Sequence, residues 1–102
     1  MSQPARFAGA ARRELAKALR EIEHAAAAQR LRDAVATAAR RIGARPLLGR
    51  QALALADARY RFWSVPGFPY LMVYRPDLSP SSIVRFVHTA RDLPVLLADL
   101  RD

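Results

Sequence analysis

The sequence predicts an α+β domain in which an N-terminal helical hairpin packs on a small antiparallel sheet. Three observations predict it. Residues 10–42 are dominated by Ala, Arg, Leu and Glu and contain neither Gly nor Pro, a composition that favours helix. From Arg59 onward the large aromatic and β-branched residues gather in short runs separated by Pro, Gly, Asp and Ser, which is the pattern of strands and turns. Leu93, Leu96, Leu97 and Leu100 then return to helical spacing. The expected order is β-αα-βββ-α. At 102 residues the chain makes one domain, long enough to close a single core.

The elements follow in order. Ala5–Ala8 reads as a short, weakly signalled first strand. Within residues 10–42, Leu15, Leu19 and Ile22 form one apolar stripe, and Leu31, Val35, Ala38 and Ile42 form a second. On one continuous helix, at about 100° per residue, the two stripes would centre at roughly 7° and 170° and face opposite ways. A break within His24–Gln29 lets both face one core, and Gly43 is the expected helix stop. Arg45–Arg50 is a loop and Gln51–Ala58 is a short helical turn or irregular. Arg59–Val65, Tyr70–Arg75 and Ser82–His88 are three strands in series. Pro66-Gly67 and residues 76–81 supply the turns, so the three form an antiparallel meander. Asp92 is the expected N-cap of a last helix over Leu93–Leu100, with Pro94 in its first turn.

Composition restricts function. The net charge is +8, from 16 Arg and one Lys against nine acidic residues. Residues 1–45 hold ten basic and four acidic side chains, +6, and residues 46–102 hold seven and five, +2. Such a balance points to an anionic partner, nucleic acid or acidic protein. A GC-rich coding sequence produces the same Arg and Ala bias. Cys is absent, which rules out disulfides and thiolate metal sites and fits a reducing cytoplasm. No apolar run approaches the roughly 20 residues that span a bilayer, and the N-terminus has no signal-peptide core. Only two His, His24 and His88, are present, with no metal-spaced cluster and no Gly-rich phosphate loop. Neither a metal nor a cofactor is expected.

Several residues carry chemistry of interest. Arg59, Arg61 and Trp63 share one strand face by alternation. Trp among arginines suits a protein or nucleic-acid contact; the alternative is a core Trp63 with a solvated Arg rim. Tyr70–Arg75 is apolar on both faces, Tyr70, Met72 and Tyr74 on one and Leu71 and Val73 on the other. One hairpin covers one face, so the C-terminal Leu segment or a partner covers the second. Alternation also places His88 with Val84 and Phe86. Arg12, Arg13, Lys17 and Arg20 stud the first helix, as a solvated face or as a dock for an acidic segment.

Four features in order resemble a RelE/ParE toxin. They are the Ala-rich hairpin, the loop Pro46-Leu47-Leu48-Gly49-Arg50, the run Trp63–Tyr70 leading into Val73-Tyr74-Arg75, and the block Val84–His88 followed by Arg91-Asp92-Leu93. The resemblance, which is to the ParE branch, covers about Phe7 to Leu97 and is strongest from Arg59 onward. It implies the toxin of a type II toxin–antitoxin system, in a hetero-oligomer with a cognate antitoxin of ribbon-helix-helix type. Members of the ParE branch poison DNA gyrase; members of the RelE branch cut mRNA on the ribosome. A third possibility is a toxin-like domain without activity that only binds its antitoxin.

An RNA-cleaving centre needs a general acid, a general base and cations at the phosphate. His88, Arg61, Arg91 and Tyr74 are the candidates for that set, with Arg75 and Arg85 as further phosphate ligands. The RelE branch usually carries Lys or Glu on the middle strands and a Tyr near the C-terminus. Here no Tyr follows Tyr74. The gyrase reading is therefore preferred, with Arg59, Arg61, Trp63, Tyr70, Met72 and Arg91 as the expected contacts to target or antitoxin.

Overall fold

The structure, a computed structural model, describes residues 2–101. Strand β1 is Arg6–Phe7, helix α1 Gly9–Arg20 and helix α2 Ala25–Ala44. Strands β2 Arg61–Ser64, β3 Tyr70–Arg75 and β4 Ser82–His88 follow, then a turn of helix, α3 Leu93–Leu96, and a 3-10 turn at Ala98–Leu100. The domain is α+β in the expected order. β3 and β4 have the expected bounds, because turn-forming residues fence both.

The helix break lies earlier than expected, at Glu21–His24 rather than within His24–Gln29. Four consecutive Ala are the best helix formers available, so α2 begins at Ala25, with His24 extended at the N-cap position. Ile22 sits in the connection and packs against the core. On α1 the fully buried positions are Ala11 and Ala18, which continue the Leu15–Ile22 stripe at helical spacing. On α2, Leu31, Val35, Ala38 and Ile42 are all buried, as the stripe requires. Gly43 does not stop the helix, which runs on to Ala44. It lies where a Cβ would collide with the Gln3 backbone, so its lack of a side chain lets the N-terminal segment cross α2.

The sheet order is β1-β4-β3-β2. β2, β3 and β4 form the antiparallel meander, but β1 pairs parallel with β4, Arg6 opposite Ser82 and Phe7 opposite Ile83. The sheet is therefore mixed. A register shift opposite Val73 and Tyr74 pairs Val73 with Arg85 and Tyr74 with Ile83. That bulge leaves Val84 unpaired and breaks the alternation. Val84 packs with the second core rather than with Phe86.

Two apolar cores flank the sheet. The hairpin side joins Ala11, Leu31, Val35 and Ile42 to Met72, Tyr74, Ile83 and Phe86. The opposite side joins Phe62, Leu71, Val73 and Val87 to Ala56, Leu97 and Leu100. The second face of β3 is thus covered by the chain's own loop and tail, and no partner is needed there. The tail does so as one turn of α-helix and one of 3-10, not as a helix over Leu93–Leu100. Asp92 occupies its N-cap position without a side-chain capping bond, and Pro94 sits in the first turn.

Candidate functional site

The Pro46–Arg50 loop is fixed to the sheet by two buried or half-buried side chains. The Tyr74 hydroxyl donates to the Pro46 carbonyl at 2.7 Å and accepts from the Gly49 N–H at 2.8 Å. Arg61 Nη1 donates to the Gly49 carbonyl at 2.7 Å and more weakly to Leu47 at 3.4 Å. Gly49 is required by this arrangement: a Cβ there would lie 2.6 Å from the Phe62 carbonyl and 2.8 Å from the Tyr74 oxygen. Arg50 and Phe62 then exchange both backbone hydrogen bonds, at 2.7 and 3.1 Å. Burial pushes the Tyr74 hydroxyl above its ordinary pKa of 10.0, against the opposing pull of the Gly49 N–H and the Arg61 charge. The phenol therefore stays protonated and able to donate.

Trp63 is half-buried on the hairpin side of β2, under the Arg41 guanidinium of α2 at 5.3 Å from the ring centroid. Its Nε1 is buried without a hydrogen-bond partner. Arg61 and Trp63 share the strand; Arg59 does not. The chain turns at Asp57, whose carboxylate accepts from the Arg59 N–H at 2.9 Å and from its guanidinium at 2.6–3.2 Å. These hydrogen bonds hold the Asp57 carboxyl down at about 2. The turn delays β2 to Arg61.

His88 and Arg91 lie at the other end of the sheet. His88 pairs with Tyr70 across β3–β4, its ring edge-on to Tyr70 at 5.3 Å, and its Nδ1 accepts from the Ala90 N–H at 3.0 Å. Tyr70 stacks on Phe86 at 4.9 Å, and burial, helped by Glu21, raises its hydroxyl pKa. An open cleft of about 230 Å³ lies here, lined by Lys17, Glu21, Tyr70, His88 and Arg91 among others. Four residues along β3 separate Tyr70 from Tyr74, about 13 Å at 3.3 Å per residue. The four nuclease candidates therefore divide into two pairs, Arg61 with Tyr74 and His88 with Arg91. Of the expected contact residues, Arg91 is exposed and Arg61, Trp63 and Tyr70 are partly so, whereas Met72 is fully buried and presents no surface.

Arg85 and Arg75 are committed elsewhere. The Arg85 guanidinium is clamped by Glu14 of α1 at 2.8–3.1 Å and donates to the Leu96 carbonyl at 3.1 Å. Glu14 also accepts from the Phe86 N–H. One carboxylate thus joins α1, the β4 bulge and the tail, a role the sequence reading missed. The available signal was a lone acid at helical spacing from Ala11 and Ala18. Arg75 is paired with Asp77 at 2.6 Å. On α1, Arg12, Arg13, Lys17 and Arg20 are all exposed.

Compared with known protein families, residues 5–93 match the model of the ParE toxin of the type II toxin–antitoxin system parDE. The chain belongs to the ParE toxin family. It is thus the toxin component of a type II toxin–antitoxin system, and an antitoxin is its partner. No curated protein matches the chain at a significant level. Among the toxin's described residues no group of three or more His, Cys, Asp and Glu is placed to hold a metal. No helix among them is long and apolar enough to cross a membrane.

Proposed function

We propose that the toxin acts in the cytoplasm by binding DNA gyrase and blocking it, without catalysis of its own, and that a ribbon-helix-helix antitoxin neutralises it. The observation that carries this reading is the division of the acid–base and cationic candidates between two ends of the sheet. General acid–base catalysis needs its groups within hydrogen-bond reach of one substrate. The Tyr74 hydroxyl and the Arg61 Nη1 bond the Pro46–Arg50 loop, about 13 Å along β3 from the His88 end. His88 Nδ1 is spent on the Ala90 backbone. What remains outward is a basic surface with a partly exposed Trp, which suits contact rather than bond cleavage.

The deciding experiment sets two assays side by side with the purified toxin. One measures gyrase supercoiling, the other cleavage of mRNA on translating ribosomes. The expected result is loss of supercoiling with intact mRNA, reversed by antitoxin. Normal supercoiling with mRNA cut at codons overturns the proposal in favour of the ribosome-dependent endonuclease.

A further inference from the structure

Helix α1 turns a cationic face outward. Ala11 and Ala18 mark its buried side. At about 100° per residue, Arg13, Lys17 and Arg20 fall within an arc of about 60° opposite them, and Arg13 to Arg20 spans about 10 Å. All three are exposed, as is Arg12 on the flank. The other residues of the same arc are Gly9 and Ala16, so no bulky apolar side chain interrupts it. Lys17 also lines the cleft that holds Arg91, itself exposed. The cationic surface thus continues from α1 to the end of β4.

The chain does not neutralise this surface. Among the described residues, Arg13, Lys17, Arg20 and Arg91 are in no ion pair. Glu14, the one acid of α1, is taken by Arg85. Glu21 follows the helix, exposed, and pairs with none of the four. Arg12 and Arg13 come early in a helix whose first turn holds no acid, although the helix dipole favours acids over cations at that end. Helix stability therefore does not account for their placement, and a polyanion would.

The composition of the face selects among polyanions. A protein interface centres on a desolvated apolar or aromatic core, and the arc offers none. A helix that lies on a lipid surface buries large apolar side chains, which are also missing from it. Single-stranded nucleic acid is held by stacking on aromatic rings, and α1 has no aromatic residue. A duplex presents phosphates alone at its margin, one charge per about 1.7 Å of axis. B-form DNA keeps its phosphate rows beside a groove about 12 Å wide, enough for a helix to lie against, whereas the narrow major groove of A-form RNA shuts side chains out. We propose that the outward face of α1, with Arg91, binds the phosphate backbone of duplex DNA. Such contacts position the protein on the duplex without reading its sequence. This activity lies beyond the contact with gyrase and does not depend on it.

The test follows binding of the full toxin to a short fluorescent DNA duplex by anisotropy, for two unrelated sequences and across a range of salt. Equal affinity for both sequences is expected, falling with salt at a log–log slope of about −3 or steeper, since each phosphate contact contributes about 0.9. Arg13→Gln, Lys17→Gln and Arg20→Gln together are expected to raise Kd about tenfold or more and to flatten the slope by about three. The melting temperature should not move, because the three side chains are exposed. Arg30→Gln, Arg32→Gln and Arg40→Gln on α2 remove the same charge from exposed positions and are expected to keep most of the affinity. Equal losses in the two triple variants overturn the proposal in favour of net charge alone. Absence of binding at low salt overturns it outright. Equal or tighter binding to single strands, to duplex RNA or to vesicles containing phosphatidylglycerol, lost in the α1 variant, overturns the assignment to duplex DNA. Gyrase is absent from the assay, so each of these failures leaves the gyrase reading standing.

Discussion

Tyr74→Phe deletes one oxygen and preserves the ring, and it isolates what holds the Pro46–Arg50 loop in place. Tyr74 is fully buried, and its hydroxyl makes two hydrogen bonds, at 2.7 Å to Pro46 and 2.8 Å from Gly49. The costs are unequal. The Gly49 N–H is buried and has no substitute acceptor, so its loss costs about 1–3 kcal/mol. The half-buried Pro46 carbonyl recruits water and adds roughly 0.5–1 kcal/mol. The sum, about 1.5–4 kcal/mol, lowers the melting temperature of a domain this size by roughly 6–30 °C.

The assay is thermal and urea unfolding followed by circular dichroism, with Tyr70→Phe as the matched control. The Tyr70 ring stays stacked on Phe86 and its hydroxyl has no hydrogen bond of this kind, so that variant is expected within about 0.5 kcal/mol of wild type. Equal and small effects of the two substitutions would refute the assignment of Tyr74 as the loop's anchor. Growth arrest on induction is a separate readout. If Tyr74 is structural, Tyr74→Phe arrests growth at temperatures where it is folded. Loss of toxicity in folded protein would instead restore Tyr74 to a reacting centre.

Three further outcomes are expected. His88→Gln should leave toxicity following the folded fraction, because gyrase blockade by contact needs no proton transfer; a loss of about 10²–10⁴-fold in folded protein would favour the nuclease. Glu14→Ala strands the Arg85 guanidinium and the Phe86 N–H, and should cost about 2–4 kcal/mol in urea unfolding; Glu14→Ala combined with Arg85→Leu should recover part of it. Tyr74 and Tyr70 both have raised pKa values in the fold, so above pH 10 the folded state binds more protons than the unfolded one. Stability is therefore fully present below about pH 10 and falls as pH rises further, with a shallower fall in Tyr74→Phe; an unchanged slope in that variant would contradict the burial assigned to its hydroxyl.

The strands were legible wherever local chemistry decides the outcome. Tyr70–Arg75 and Ser82–His88 are bounded by residues that cannot continue a strand, and period two is a property of the backbone itself. The features that escaped are those set by distant parts of the chain. The bulge that turns Val84 away from Phe86 depends on the register against Tyr74. The parallel pairing of β1 depends on a return across the whole hairpin. The start of β2 depends on an Asp57 turn that competes with the strand pattern of Arg59. The helix break lies earlier than stripe phase alone predicts, because the Ala25–Ala28 run favours helix at every position.

The same distinction governs the site. Alternation placed Arg61 and Trp63 on one face correctly, but sequence proximity carries no information on which end of a sheet a residue reaches. His88 lies closer in sequence to Tyr74 than Arg61 lies to Arg91, and yet β3 runs its full length between the two. Pairing an acid–base candidate with a phosphate ligand requires the register, because each step along a strand moves a side chain about 3.3 Å and a proton transfer tolerates no such gap. The two-sided apolarity of β3 likewise had two solutions that only the tail could separate. Leu97 and Leu100 close that face from within the chain, which removes the outer sheet face from the surfaces open to a partner. The basic, Trp-bearing margin of β2 and α2 and the cationic face of α1 then remain open to a partner.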